Sequence, residues 1–174
     1  MQVMHQLYQY VGPSSIAAAV NSSSKRVQVE SPDDVRQWVA DSTEQHGSSK
    51  SLTVTFIVDQ QSNLWIAGRH SEHVACARCS PVLSAGEMTF EISTDLVTAS
   101  YVTNQSTGYC PQPESWCHVA KALDNANLER SDDFDVRFEF HRCSCGQINL
   151  IKDEVYECGV CEAELPRDWN FVTD

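Results

Sequence analysis

Positive charge is scarce in this chain of 174 residues, in which 12 lysines and arginines stand against 24 aspartates and glutamates, for a formal net charge of −12. Proteins that bind nucleic acids or anionic membranes gain much of their affinity from Lys and Arg at phosphates. The single adjacent Lys/Arg pair is Lys25-Arg26. We therefore expect no nucleic-acid partner and no membrane partner.

Long hydrophobic runs are also missing, since no run approaches the roughly 18 apolar residues of a membrane span. The opening residues, MQVMHQLYQY, contain no basic leader and no apolar run followed by small residues, which are the marks of a signal peptide. Seven glycines and six prolines are too few for a collagen-like or low-complexity chain. We expect a soluble, cytoplasmic, globular protein.

Cysteine, in contrast, is plentiful, and four of the eight cysteines form two close pairs near the end of the sequence. The pairs are Cys143-Ser-Cys145 and Cys158-Gly-Val-Cys161. Two such pairs on two turns provide the four soft ligands that a structural zinc ion prefers, and four thiolates leave no position for water. We predict a structural zinc site at these four cysteines. His141 is an alternative ligand, because a single residue separates the first pair.

The hydrophobic patterns predict an α+β fold with an antiparallel sheet, two or three helices and a C-terminal zinc ribbon. We expect residues 1–140 to form the α+β domain and residues 141–174 to form the ribbon, packed on that domain through residues 169–171. Helices are predicted at residues 13–20, from Pro32 onward, and at 114–128. Strands are predicted at residues 26–30, 52–59, 64–68, 87–92, 97–104 and 134–140, with a loop at 41–50 and two ribbon strands within 148–157.

A second concentration of reactive side chains lies in residues 69–79, RHSEHVACARC. One interpretation is a second metal site, formed by His70, His73, Cys76 and Cys79, or by Cys76 and Cys79 with Cys110 and Cys117. Another is an acid–base pair of His70 or His73 with Glu72 or Glu87. A third is a thiol nucleophile, Cys76 or Cys110, beside a histidine. Against these stands a purely structural role, in which the polar groups are hydrogen-bonded and the cysteines are buried.

Part of this region carries a family resemblance, in His70-Ser71, Ala85-Gly86-Glu87, and then Asn104, Ser106, Tyr109 and Pro111. It resembles a pattern shared by plant IQ-motif-containing calmodulin-binding proteins and certain domains at the ends of bacterial polymorphic toxins. There a His-Ser pair precedes an Ala-Gly turn, and a Ser-Gly-His-Tyr segment with a nearby proline follows. The resemblance spans residues 70–111, about a quarter of the chain.

The resemblance implies a common small fold with a polar cleft near His70, Glu87 and Tyr109. This chain has Thr107 and Gly108 where the pattern has Gly and His. It also lacks a basic IQ-type helix, so calmodulin binding is not implied.

Two functions follow from these patterns. The first is a zinc-binding adaptor or regulator that acts by binding a protein partner, since the closed cysteine site is the strongest motif in the sequence. The alternative is an enzyme, a transferase or hydrolase, with a cleft around His70, Glu87 and Tyr109. Its candidate catalytic residues are His70, Glu72, His73, Glu87 and Tyr109.

Overall fold

A computed structural model describes residues 5–46 and 51–172 of the protein, which form helices, strands and connecting turns. The helices are α1 (Ser14–Ala18), α2 (Pro32–His46), α3 (His73–Cys76) and α4 (Trp116–Asn125), the last preceded by a 3₁₀ turn at Pro113–Ser115. The strands are β1 (Arg26–Val29), β2 (Ser51–Val58), β3 (Leu64–Gly68), β4 (Ser84–Ile92), β5 (Val97–Thr103), β6 (Glu129–Arg130), β7 (Glu139–Arg142) and β8 (Ile148–Ile151). The fold is therefore α+β, as the sequence predicts.

Six strands form the main sheet in the order β1-β3-β2-β4-β5-β6, and β7 pairs with β8 in a separate two-stranded sheet. Neighbouring strands are antiparallel, apart from the short parallel pair of β5 and β6. The predicted antiparallel sheet is thus correct for all but this last strand. The parallel pairing arises because α4 carries the chain back across the sheet between β5 and β6.

Both faces of the central strand β2 are covered. Successive side chains of a strand point to opposite faces, so Phe56 joins one core and Ile57 the other. The first core also contains Val35 and Trp38 of α2 and Leu123 of α4. The second core, on the opposite face, includes Val74 and Cys76 of α3. None of the helices in the described residues combines the length and apolar character needed to cross a bilayer.

The helix α2 extends further than the sequence predicts. It begins at Pro32, where the carboxylate of Asp34 accepts hydrogen bonds from the backbone N–H and hydroxyl groups of Ser31, a form of capping that satisfies free groups at a helix start. The predicted loop at residues 41–50 is wrong for its first six residues, which are helical to His46. Its remaining residues, 47–50, lie outside the described part of the chain.

Two further expectations need correction. The described residues contain four helices rather than two or three, because the four-residue α3 is too short to leave a periodic pattern. The predicted strand at residues 134–140 is largely irregular, and regular pairing begins at Glu139. Side-chain hydrogen bonds supplement a single backbone bridge here. The Asp135 carboxylate accepts from the N–H of Val102, and the Asn104 amide oxygen accepts from the N–H of Phe138.

Gly86 occupies a position in β4 where the chain tolerates no side chain. A Cβ atom placed on it would lie far inside van der Waals distance of the backbone oxygen of Thr103 on β5. Backbone atoms held in a sheet have little freedom to move away. The close approach therefore explains glycine in the Ala85-Gly86-Glu87 motif as a packing requirement.

We expect Gly86→Ala to lower the free energy of unfolding by about 1–3 kcal/mol or more, as overpacking in a dense core does. Urea denaturation measures this change. Gly68→Ala is the matched control, because a Cβ at Gly68 would meet its nearest neighbour, the Ser71 hydroxyl, at an ordinary 3.6 Å. Equal losses in the two variants would contradict the close approach.

Candidate metal centre and the central cluster

The first cysteine pair lies on the tight turn that joins β7 to β8. The backbone N–H of Cys143 donates to the carbonyl of Gln147 at 2.8 Å, and the N–H of Gly146 donates to the carbonyl of Cys143 at 2.8 Å. Gly146 has a φ of +94°, in the left-handed region that glycine enters without steric cost. This turn presents Cys143 and Cys145 on one loop of backbone.

The second pair lies on a similar turn further along the chain. The N–H of Cys158 donates to the carbonyl of Ala163 at 2.9 Å, and the N–H of Glu162 donates to the carbonyl of Cys158 at 3.0 Å. An antiparallel bridge between Glu157 and Glu164 closes the base of the turn. Both pairs are thus held by backbone hydrogen bonds rather than by a hydrophobic core alone.

The predicted ribbon strands within residues 148–157 differ from those in the structure. Only the first part of that segment, β8, is a strand, and its partner is β7, which precedes the first cysteine pair. Asp153 and Glu154 both adopt positive φ angles, and they form a turn that is closed by a single antiparallel bridge between Lys152 and Val155. Pairing of β8 with β7 brings the first turn to the end of a hairpin.

The two turns face each other, so the four sulfur atoms converge. The Sγ atoms of Cys143, Cys145, Cys158 and Cys161 all lie within 4.8 Å of one another. Two of the separations are 3.5 Å, between Cys143 and Cys161, and 3.8 Å, between Cys145 and Cys158. These four cysteines could hold a metal ion, and their thiolate sulfur atoms favour a soft or borderline metal.

Backbone N–H groups stabilise negative charge on two of these sulfurs. The N–H of Cys145 lowers the pKa of Cys143. The N–H groups of Cys161 and Val160 lower the pKa of Cys158 to about 6. Hydrogen bonds to the charged form of a group favour that form. The two turns therefore favour the thiolate form of Cys143 and Cys158, and the thiolate is the form of cysteine that binds metals.

The four sulfurs cannot all ionise by hydrogen bonding alone. The N–H of Ala163 lowers the pKa of Cys161, but the neighbouring thiols outweigh it and raise that pKa to about 12. Hydrogen bonds with the side chains of Cys143 and Cys145 favour the neutral form of Cys161. A bound cation reverses this balance, because it deprotonates the thiols that coordinate it.

Asn149 of β8 supports the centre from outside. Its side-chain Nδ2 lies 3.6 Å from the Sγ of Cys158, and its Oδ1 accepts from the N–H of Gly159 at 3.0 Å. Such contacts orient metal ligands. Sequence reasoning missed Asn149, because nothing in the spacing of a lone asparagine distinguishes it from other polar strand residues.

Hydrogen bonds of residues just before and just after the cysteine turns connect the turns to neighbouring segments. The ring Nδ1 of the buried His141 lies 2.9 Å from the carbonyl of Asp168. The Asn170 amide makes two 2.7 Å hydrogen bonds with the backbone of Arg142, and the indole N–H of Trp169 donates to the carbonyl of Cys110 at 2.8 Å. His141, the alternative ligand, is not one of the residues that converge.

The histidines and cysteines of residues 69–79 do not form a comparable group. Within the described residues, the four C-terminal cysteines form the single set of three or more His, Cys, Asp or Glu side chains close enough to hold an ion. His70 is exposed, whereas the Nε2 atom of His73 lies 2.9 Å from the carbonyl of Gly86. Burial lowers the pKa of His73, so this ring is neutral at physiological pH.

The two thiols considered as nucleophiles are buried. Burial raises the pKa of Cys76 to about 12 and that of Cys110 to about 12. The reactive form of cysteine is the thiolate, which is rare at neutral pH for such groups. Cys79 and Cys117 are exposed.

The candidate acid–base residues are not gathered in one cavity. Tyr109 is fully buried, and its hydroxyl donates to the carbonyl of Ser80 at 2.9 Å. Glu87 is half-buried on β4, opposite Thr55 and Thr103 of the neighbouring strands. In four cavities formed by the described residues, Glu72 lies in one wall, and His70, His73, Glu87 and Tyr109 lie in none of them.

Comparison of the chain with protein-family models, with curated proteins and with solved structures returned no match.

We expect the buried thiols to resist alkylation in the folded protein. Iodoacetamide at mildly alkaline pH should modify Cys79 and Cys117 in the native state, because both are exposed. Cys76 and Cys110 should react only after unfolding, since burial keeps them protonated. Peptide mass spectrometry with and without denaturant measures this. Native-state modification of Cys76 as fast as that of Cys117 would contradict the burial.

Proposed function

We propose that Cys143, Cys145, Cys158 and Cys161 bind a structural zinc ion. The supporting observation is the convergence of the four sulfurs. A tetrahedral site with Zn–S bonds of about 2.3 Å places its sulfurs about 3.8 Å apart. The separations of 3.5 and 3.8 Å agree with that geometry.

The role proposed for the ion is to fold residues 141–174 as a zinc ribbon against residues 1–140. The core of the cysteine turns is small: its buried members are Cys143, Cys158 and Leu165. So little apolar surface cannot offset the entropy of ordering the turns. Metal binding supplies free energy to the folded state, because the unfolded chain lacks a formed site.

Metal analysis of the purified protein tests this assignment. We expect about one zinc ion per chain, as a single tetrathiolate site requires. Cys158→Ser should abolish stoichiometric zinc and lower the melting temperature, because it removes both a ligand and a source of folding free energy. Zinc is measured by mass spectrometry after gel filtration, and melting by circular dichroism.

Cys117→Ser is the matched control, since Cys117 is an exposed cysteine outside the group. It should keep its zinc and its melting temperature. Treatment of the wild-type protein with a zinc chelator gives a second measurement that needs no substitution. Full zinc content in Cys158→Ser, or no zinc in the wild-type protein, would contradict the proposal.

We further propose that the zinc-bound segment binds another protein, as an adaptor or regulator does. Val155 and Val160 lie in its turns with 58% and 69% of their surfaces exposed. Acidic side chains accompany them along the chain, at Asp153, Glu154, Glu157 and Glu162. Exposed apolar groups with charge of one sign suit a partner with apolar and basic groups.

This role is favoured over an enzyme with a cleft around His70, Glu87 and Tyr109. Tyr109 uses its hydroxyl in a buried hydrogen bond, and His73 has a backbone partner. Groups that act on a substrate must be accessible to it. An adaptor requires no such cleft.

A partner captured from a cell extract and then purified allows a test of this surface. Val160→Ser should weaken its binding by about tenfold, the effect of removing one buried aliphatic side chain from an interface. Titration calorimetry measures the change. Leu96→Ser is the control, because Leu96 is 53% exposed but lies between β4 and β5. Equal effects of the two substitutions would contradict the assignment.

A further inference from the structure

Two arginines converge on one cavity in this otherwise acidic protein. The cavity has a volume of about 280 Å³ and lies beside the β2–β3 turn and the end of α3. Its wall includes Arg26 of β1 and Arg78, which follows α3, together with Trp65, Asp59 and Ser80. Small-molecule pockets usually measure about 300–1,000 Å³, so a ligand here would be small.

The guanidinium of Arg26 is held in place by two contacts, but its buried Nε–H donor has no hydrogen-bond partner among the described residues. Its Cζ lies 3.8 Å from the centre of the Trp65 ring, and its Nη1 donates to the carbonyl of Cys76 at 2.6 Å. That contact satisfies one carbonyl at the end of α3. The buried Nε of Arg26 has no hydrogen-bond partner among the described residues, although an arginine carries five N–H donors.

Burial and Arg78 lower the pKa of Arg26 by more than the Asp59 carboxylate in the wall raises it. Asp59 accepts hydrogen bonds from the N–H groups of Gln61 and Asn63, from the Asn63 side chain and from the Trp65 indole. Within the described residues it forms no ion pair with either arginine. Asp59 thus holds the β2–β3 turn, and two guanidiniums face one carboxylate that already has its own donors.

The second guanidinium lies close enough to repel the first. Burial lowers the pKa of Arg26, and the charge of Arg78 lowers it further. The Nη2 of Arg78 donates to the carbonyl of Ser22 at 3.2 Å, while most of its side chain is exposed. An anion between two like charges removes their repulsion and gains hydrogen bonds from both.

The backbone that carries Arg78 is strained. Arg78 and Cys79 have φ angles of 52° and 62°, in a region that costs free energy for residues other than glycine. Such residues persist where the surrounding structure holds them, and they cluster at binding sites. Arg78 and Ser80, on either side of Cys79, both line the cavity.

We propose that this cavity binds the carboxylate or phosphate group of a small molecule between Arg26 and Arg78. The planar guanidinium fork matches both oxyanions. The proposal does not depend on zinc, because none of the residues that line the cavity belongs to the cysteine group.

Nuclear magnetic resonance of the arginine Nε–H groups tests the site directly. The ¹⁵N-labelled protein is titrated with inorganic phosphate in one arm and malonate in another, at constant ionic strength set with sodium chloride. The Arg26 and Arg78 signals should shift saturably with one of the two anions. The arm that saturates identifies the oxyanion, and shifts no larger than those from chloride in both arms would overturn the proposal.

Arg78→Gln should weaken the saturating anion by about tenfold or more, because a hydrogen bond from a charged donor is lost. Arg78 is exposed, so the variant is expected to fold, and its amide spectrum verifies this. Arg167→Gln is the matched control: it removes an exposed arginine that stacks on Tyr156, away from the cavity. Affinity unchanged in Arg78→Gln, or equally reduced in Arg167→Gln, would overturn the proposal.

Discussion

The close approach of four cysteine sulfurs is the constraint on which the end of this chain depends. The sulfurs of Cys143, Cys145, Cys158 and Cys161 lie within 4.8 Å of one another. At that range, ionisation of one opposes ionisation of the next. Backbone N–H groups stabilise the charge on Cys143 and Cys158, but the pKa of Cys161 is still raised. A cation resolves the conflict, which is why the geometry supports the zinc proposal.

The two cysteine turns are attached to the rest of the chain. The short β7–β8 hairpin carries the first turn, and the residues after the second turn return to contact that hairpin and the segment around Cys110. Phe140 and Phe171 are buried in one small cluster with Cys110. Trp169, Asn170 and Phe171 thus contact both the β7–β8 hairpin and the segment around Cys110. This arrangement connects the proposed adaptor surface to the body of the protein.

Several residues of the segment 70–111 have packing roles in this structure. Gly86 permits the close approach of β4 and β5, and Tyr109 donates to Ser80 from a fully buried position. Asn104 makes hydrogen bonds with Pro111 and Phe138, which join the end of β5 to the segment before β7. These roles follow from burial, since buried polar groups require fixed partners. The implied polar cleft remains a prediction.

The sequence alone determined the features that depend on local spacing. Two cysteine pairs predicted the four residues that converge, and the periodic patterns predicted α4, β2 and β3, because side chains repeat along a helix or strand with a fixed period. The periodic patterns did not predict short or polar elements. Helix α3 is only four residues long, and the end of α2 has little apolar character.

Only the tertiary structure decided which groups meet from distant parts of the chain. It left His70 exposed, buried Tyr109, and brought Asn149 to Cys158. It also placed Arg26 and Arg78 on one cavity across 52 positions of sequence. Hydrogen bonds and charges act through space over a few ångströms, whereas sequence patterns report only neighbours along the chain. For that reason the sequence predicted the group of four cysteines but not the cavity lined by two arginines.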